Sequence, residues 1–351
     1  MAWVPHHIEH FIVVTHENHT FDQYFGHYPG ADGLPDGVVL HDREGKALSP
    51  FPVDSPFFNL LHDPDHSWEA IHREWNFGKM DGFARVNGRV ALGYYPQEAV
   101  APYWRLAQKG VLLDRYFCSV LGPTMPNRLY LVSGTSAGIR DDPPIGCRWQ
   151  FHQKTVFDQL ESAGVSWSYY VRDYHPRVVA VAKALIMCPL LWFPRFLNRP
   201  PLRRRLKPYS AFWRDLASGR LPQVAFVAPG WWDSEHPGAP ISPGMAEVER
   251  MVQAIEQSRY RERTFFLLNF DEGGGFYDHV APPAVDAWGL GLRVPAIILA
   301  PGLSVGTVDH TVFDHTSVLK TIQDRFGLPP LTRRNLWAKS LFCLWEAAEE
   351  E

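Results

Sequence analysis

Asn269-Phe270-Asp271-Glu272-Gly273-Gly274-Gly275-Phe276-Tyr277-Asp278-His279-Val280 follows directly on the apolar run Thr264-Phe265-Phe266-Leu267-Leu268. Two adjacent carboxylates and three glycines continue a strand poorly, so the chain must turn there. A strand that stops at an acidic pair, with glycines letting the backbone approach a bound group, is how an open α/β sheet presents cation ligands at its carboxyl edge. Taken alone, the pair reads equally as a tight turn with solvated charges. The decision comes from the rest of the chain, where the arrangement recurs.

Phe11-Ile12-Val13-Val14 has the continuous β-branched pattern of a strand buried on both faces and ends in Thr15-His16-Glu17-Asn18. On its own, Glu17-Asn18 would pass for a helix N-cap with an early acidic residue. A third such strand, Gln223 to Ala228, runs into Asp233-Ser234-Glu235-His236. Strands are also expected at Val165–Val171 and Val294–Ala300. Helices are expected over Pro96–Lys109, Thr155–Ala163, Gly244–Ser258, about Ser317–Phe326 and roughly Leu336–Ala348. This alternation predicts a three-layer α/β/α fold with a mostly parallel central sheet and its site at the carboxyl ends of the strands.

The 351 residues, 46% hydrophobic and 21% charged, suit a soluble globular enzyme. No Gly/Ser-rich or charge-rich linker divides the chain, so one domain is expected over residues 1–351. A helical insertion at about residues 175–208 interrupts the alternation. It is too broken by Lys183, Pro189 and Pro194 for a membrane span. Val178 to Phe193, flanked by Arg199, Arg203, Arg204, Arg205 and Lys207, reads either as an interfacial helix making peripheral membrane contact or as an insertion packed on the body. The net charge of −4 argues against nucleic acid as partner. Cys118, Cys147, Cys188 and Cys343 show no metal or redox spacing and read as buried thiols of a reducing compartment, or as one long-range disulfide. Met1 to His7 lacks a basic region followed by an apolar one. A cytoplasmic or peripheral membrane protein is therefore expected if the chain is complete, and a secreted one if a leader has been removed.

The strand ends supply Glu17, Asn18, Asp271 and Glu272, with Asp233, Glu235, His236 and His279 nearby on the same edge. Carboxylates and an amide suit Ca²⁺, Mg²⁺ or Mn²⁺ better than a soft-ligand zinc site. In Gly122-Pro123-Thr124-Met125-Pro126, the turn and a helix beginning at Pro126 put Thr124 at a helix N-terminus. Its hydroxyl is either a cap or a nucleophile among free N–H groups, where a phosphoryl group would bind. No G-x-S-x-G elbow supports a serine acyl hydrolase. His66, in Asp65-His66-Ser67, either caps a short helix or faces a site.

Six ordered blocks resemble the phosphoesterase family that includes bacterial phosphatidylcholine-type phospholipases C, plant non-specific phospholipases C and a bacterial acid phosphatase, relatives of the alkaline phosphatase superfamily. The blocks are Glu17 to Gly26, Asp63 to Trp68, Gly122 to Arg128, Glu235-His236-Pro237, Asp271 to His279 and Phe313 to Ser317. The resemblance implies an alkaline-phosphatase-like core, with metal on Glu17, Asn18, Asp271 and Glu272. It implies further that Thr124 is the nucleophile and touches the metal, and that His66, His236 and His279 bind phosphate or serve the leaving group. The expected activity is phospholipase C-type cleavage of phosphodiesters in phospholipid or another phosphoester. The alternatives are a phosphomonoesterase and a catalytically silent lipid-binding homologue. One departure stands out: Gly273 occupies the place where the family commonly has the histidine of Asp-Glu-His-Gly-Gly.

Overall fold

The computed structural model describes residues 4–144, 151–175 and 182–345. Cys147 and Val178 to Val181 lie outside the described residues. In chain order the principal elements are β1 (His10–His16), α1 (Trp68–Trp75), α2 (Ala101–Lys109), β2 (Val111–Leu113), α3 (Thr124–Ser133), α4 (Val156–Ser162) and β3 (Trp167–Val171). They continue with β4 (Leu206–Pro208), β5 (Val224–Ala228), α5 (Ser242–Glu256), β6 (Thr264–Phe270), β7 (Ala296–Leu299), β8 (Thr307–Asp309) and α6 (His315–Phe326).

The eight strands form one sheet in the order β8-β2-β7-β6-β1-β5-β3-β4. Only β7 runs antiparallel to its neighbours. Every residue of β1 and β6 is buried, as a parallel strand covered on both faces requires. The cover comes from two groups of helices, α2 with α5 and α3 with α4 and α6. The mostly parallel α/β architecture read from the apolar runs is therefore the observed one.

Three expected elements differ in detail. The helix expected from Pro126 begins at Thr124, with Pro123 as its N-cap, because proline tolerates a first turn without setting where that turn starts. The helix expected over Pro96–Lys109 begins at Ala101. The terminal helix expected over Leu336–Ala348 is interrupted: a short helix at Arg333–Trp337, capped by the Thr332 hydroxyl, ends in extended backbone at Ala338, residues 343–345 are helical again, and 346–348 lie outside the described residues.

The insertion is packed on the body wherever it is described. Leu190, Leu191, Trp192, Phe193 and Phe196 are buried, and β4 joins the sheet edge. Arg195 pairs with Asp158 of α4 at 2.6 Å. The Met187 carbonyl accepts from Arg128 (2.9 Å) and from the Tyr169 hydroxyl (3.3 Å). No helix among the described residues is long and apolar enough to cross a membrane. Cys118 and Cys188 are buried free thiols.

A buried ion cluster ties the long connections together beside the sheet. Arg293 donates to Asp22 (2.8 Å) and Asp278 (2.9 Å), and to the carbonyls of Asp32 (2.7 Å) and Asp114 (2.9 Å). Its guanidinium is fully buried, so removing it leaves Asp278 without its ion-pair partner and Asp22 with His279 alone. Arg293→Met is expected to lower unfolding stability by about 3–5 kcal/mol, the scale of breaking a buried pair from one side. Urea titration of the purified variant against the parent measures the loss.

Candidate active site

Parallel pairing of β1 with β6 sets His16 opposite Phe270, and the Asp271 N–H donates to the His16 carbonyl at 3.1 Å. Glu17 and Asp271 therefore leave adjacent strands at the same level. Glu17, Asn18, Asp271 and Glu272 are all fully buried. Asp271 Oδ1 accepts from the backbone N–H of Asn18 (3.2 Å) and of Glu272 (2.9 Å), while Glu272 Oε2 accepts from the Gly274 N–H at 2.7 Å. Gly274 has a positive φ of 64°, and a Cβ there would meet the Asn18 carbonyl at 2.1 Å. The glycine is thus required for the acidic loop to close on Asn18.

Helix α3 brings the hydroxyl and a counter-charge from the other side. Thr124, its first residue, donates to Asn18 Oδ1 at 3.3 Å. Asn127 folds the preceding loop: its Oδ1 accepts from the N–H groups of Ser119 and Val120, and its Nδ2 donates to the carbonyls of Val120, Gly122 and Pro123. Four residues on from Thr124, and so on the same helical face, Arg128 Nε donates to Asp271 Oδ2 at 2.8 Å, and its Nη2 lies 3.5 Å from Glu17 Oε1.

The charges do not balance. Among the described residues three carboxylates face one guanidinium, an excess of two negative charges in a buried site once all three are ionised. Both Glu17 oxygens and Glu272 Oε1 have no hydrogen-bond partner. Burial raises the Glu17 carboxyl above its ordinary value and pushes Asp271 up to about 6, with Arg128 pulling against it in both cases. Burial and the neighbouring Asp271 charge hold Glu272 well above the carboxylate range. Unpartnered hard oxygens carrying a residual charge of two fit a hard divalent cation.

Asn18 sits at the centre of the site, with a left-handed φ of 65° that asparagine adopts more readily than most residues. Its Nδ2 faces the Nε2 atoms of His66 (3.1 Å) and His236 (3.0 Å). Each of these rings donates its Nδ1–H to a carbonyl, Pro64 at 2.7 Å and Pro237 at 2.5 Å, which leaves an Nε2 lone pair toward Asn18. The two rings stand 5.7 Å apart. Behind His236, the buried Glu235 has a φ of 68° and accepts from His16 Nδ1 (2.9 Å), from the Tyr24 hydroxyl (2.6 Å) and from Tyr103. Its carbonyl accepts from His19 Nε2 and from Asn59 Nδ2, each at 2.8 Å. Seven expected residues thus converge: Glu17, Asn18, His66, Thr124, His236, Asp271 and Glu272.

His279 stands elsewhere, within the ion cluster. Its Nδ1 lies 2.7 Å from Asp22 Oδ2 and its Nε2 3.5 Å from Asp32 Oδ1. The expected neighbour Asp233 likewise turns away, pairing with Arg172 at 2.7 Å. At Gly273 a Cβ would meet Leu292 Cδ1 at 2.8 Å and Thr20 Cγ2 at 2.9 Å, and the Thr20 hydroxyl is tied to the Tyr277 carbonyl. The place of the family histidine is occupied by these two side chains.

Two site residues carried no role in the sequence reading although both lie in the quoted blocks. Arg128 is one. The other is His315, whose Nε2–H donates to the Asp271 carbonyl at 2.8 Å and whose Nδ1 receives the Tyr116 hydroxyl at 3.1 Å. Tyr116 in turn accepts from Asn269 Nδ2 at 3.0 Å. Burial lowers the His315 imidazole to about 4, so it is neutral and its tautomer is set by this chain of bonds. An arginine or histidine spaced within a motif was the available signal, but only the packing shows which partner each one meets.

A parallel-sheet hydrolase core with an acidic, hydroxyl-bearing site at its carboxyl edge defines a class, the phosphoric ester hydrolases. The chain belongs to the Phosphoesterase family, which it matches over residues 8–329. It is 30% identical to phospholipase C B of Mycobacterium tuberculosis (strain ATCC 25618 / H37Rv) over 92% of this chain and 74% of that protein. It is 31% identical to the hemolytic phospholipase C of Pseudomonas aeruginosa over 92% of this chain and 53% of that protein. Among solved structures, that of Ps i-CgsB superposes with a TM-score of 0.53 over 97% of this chain and 77% of that one, at 9% identity, a likeness of fold.

The ion cluster predicts a pH dependence of stability. Burial lowers the His279 pKa, but the Asp22 hydrogen bond and charge outweigh it, so the net shift is upward. A raised folded value means that the imidazolium's contribution is fully present below about pH 6.5 and is lost as pH climbs through the folded pKa. In melting curves taken across that range, His279→Gln should flatten the decline relative to the parent.

Proposed function

We propose that this chain is a metal-dependent phosphoester hydrolase that cleaves phosphodiesters in the manner of a phospholipase C, through a phospho-threonine at Thr124. The carrying observation is the Thr124 hydroxyl, held at a helix N-terminus 3.3 Å from Oδ1 of Asn18, whose own backbone N–H donates to Asp271 Oδ1. Glu17, Asn18, Asp271 and Glu272 would hold Ca²⁺, Mg²⁺ or Mn²⁺, with Thr124 completing the set. Such a cation lowers the pKa of a nearby hydroxyl and neutralises charge that develops on phosphorus.

The Thr124 oxygen attacks in line, forming a Thr–O–P bond as the bond to the leaving alkoxide breaks. His66 or His236, whose Nε2 lone pairs face the Asn18–Thr124 centre, would take the proton leaving the Thr124 hydroxyl and pass it to the departing alkoxide, whereas the His279 nitrogens are held by Asp22 and Asp32. Water then cleaves the phospho-threonine, returning the hydroxyl and releasing the phosphoryl product.

The mouth supports a diester over a monoester. Among the described residues, a cavity of about 510 Å³ is lined by Asp63, Asp65, Asp141 and Asp142 together with His66, with no lysine or arginine in the lining. Four carboxylates oppose a dianionic monoester and favour a monoanionic diester whose head group is cationic. The relatives named as phospholipases C support the same reading.

Thr124→Ala should fold and bind metal yet lose several orders of magnitude in turnover, the scale of a removed nucleophile. Thr124→Ser should keep part of the activity. Acid quenching of the parent during turnover of a slow substrate, followed by peptide mass analysis, should find phosphate on the Thr124 peptide; phosphate elsewhere, or an active alanine variant, overturns the assignment.

Exhaustive chelation should abolish hydrolysis of p-nitrophenyl phosphorylcholine, and this substrate should be preferred over p-nitrophenyl phosphate. Asp271→Asn should weaken metal binding about 10- to 100-fold or more, read by titration calorimetry. Full activity in metal-free protein would remove the cation from the scheme.

A further inference from the structure

The long connection after β1 and the loops after β5 and β6 surround the mouth, and they carry apolar side chains that point to solvent although their neighbours are firmly anchored. Phe57, Leu61, Phe77 and Trp232 are 59%, 71%, 87% and 57% exposed. The short helix Phe58–Leu61 is seated on the His236 loop: Asn59 Nδ2 donates to the carbonyls of Glu235 and Ala239, and the Gly238 N–H donates to the Asn59 carbonyl. Phe58 is buried against Tyr95 and Phe276. Phe57 and Leu61, at the two ends of this fixed helix, are left outside.

Trp232 follows Trp231, whose ring packs 4.7 Å from His236. On the other flank a ladder of half-exposed rings leaves the mouth along the outer face of α1. Trp288 lies 5.9 Å from Trp68, Trp68 lies 4.2 Å from His72, and Trp75 lies 5.8 Å from Phe77. Trp68, His72 and Trp75 share one helical face by their i, i+4, i+7 spacing. The ladder ends at a turn where Asn76, Phe77 and Met80 all have positive φ, at 43°, 55° and 56°. For a phenylalanine this backbone is costly, and here it holds an aromatic ring almost wholly in water.

We propose that this rim docks the chain on a zwitterionic lipid layer, with Phe57, Leu61, Phe77 and Trp232 entering the boundary between head groups and acyl chains. Aromatic side chains at the edge of a polar opening suit that boundary, where one end is apolar and the other wet. Charge selects the layer. Arg140 stacks on Trp68 and Trp288, but the four aspartates of the mouth outnumber it and would be repelled by an anionic surface, whereas a phosphatidylcholine surface presents its cations outermost. The rim adjoins the site through Trp231 against His236 and through Trp68, next to the mouth residue Ser67, so docking would bring a head group toward Thr124. The proposal rests on the lipid phosphoester reading above, but docking itself is measured without turnover.

The test uses the Thr124→Ala chain, which should bind vesicles without consuming them, alongside the same chain carrying Phe57→Ser, Leu61→Gln and Phe77→Asn. Asparagine at position 77 suits the left-handed backbone, so folding is preserved there. Co-sedimentation with sucrose-loaded dioleoyl phosphatidylcholine vesicles should show partitioning weakened about tenfold or more in the rim variant, as expected when three apolar anchors are removed. Binding to dioleoyl phosphatidylglycerol vesicles should be weaker throughout. With Thr124 restored, the rim variant should hydrolyse soluble p-nitrophenyl phosphorylcholine at the parental rate and lose activity on phosphatidylcholine vesicles.

Equal partitioning of both chains, a preference for phosphatidylglycerol, or no binding by the chain with the intact rim overturns the proposal. So does loss of soluble-substrate turnover in the rim variant, which would make these residues part of the site's scaffold. A parent dimer dispersed by the rim substitutions, with vesicle binding unchanged, would assign the rim to a second copy of the chain. If vesicles bind but no phosphoester is hydrolysed, the catalytic reading fails and the docking reading stands.

Discussion

Glu17, Asp271 and Glu272 are buried at the same edge by the parallel pairing of two fully buried strands, and among the described residues Arg128 is the guanidinium that opposes them. Burying an unpaired carboxylate is costly, and a protein that keeps three together must neutralise them. Arg128 supplies one positive charge from α3, which obliges that helix to sit where it does. The same helix carries Thr124 one turn earlier, so the placement that neutralises Asp271 also delivers a hydroxyl to the acidic centre. Nucleophile and counter-charge are coupled by helix geometry.

The surrounding layers hold this centre with hydrogen bonds rather than apolar packing alone. His315 grips the Asp271 carbonyl from behind, through a chain that reaches Tyr116 and Asn269. Glu235 is gripped by His16, Tyr24 and Tyr103, and through its backbone it fixes the loop that presents His236. Asn18 joins the two halves, with its Oδ1 toward Thr124 and its Nδ2 toward two imidazoles. Left-handed backbone at Asn18 and Glu235 shows where the chain is bent to achieve this. Polar networks of this kind rigidify a site, and a rigid site suits in-line transfer, which depends on position.

The insertion illustrates how apolar sequence finds different uses. Its leucines and aromatics fill a gap beside β3 and α4, and its Met187 carbonyl accepts from Arg128. Exposed apolar side chains occur elsewhere, Phe57, Leu61, Phe77 and Trp232 among them, in segments too short and irregular to register as an amphipathic pattern. Electrostatics divides the molecule the same way: the mouth is acidic, while the basic residues Arg203, Arg204, Lys207, Arg214 and Arg220 gather around a groove along the outer strand β4.

The sequence by itself determined the sheet, because runs such as Phe11 to Val14 and Thr264 to Leu268 are apolar on both faces and can only lie between two layers. It determined the chemical character of the site as well, since acidic, amide and imidazole groups ended three of those runs, and glycine after Asp271-Glu272 marked a close backbone approach. Tertiary structure alone decided membership. His66, far along the chain, joins Asn18, whereas His279, seven residues from Glu272, does not, because Asp22 and Arg293 claim it first. It also decided which residue neutralises the carboxylates, where helix α3 begins, and that Leu292 and Thr20 fill the space beside Gly273. Local pattern fixes which groups stand at a strand end; which of them meet depends on loops whose paths are set by long-range ion pairs and packing, and no short window of sequence contains both partners.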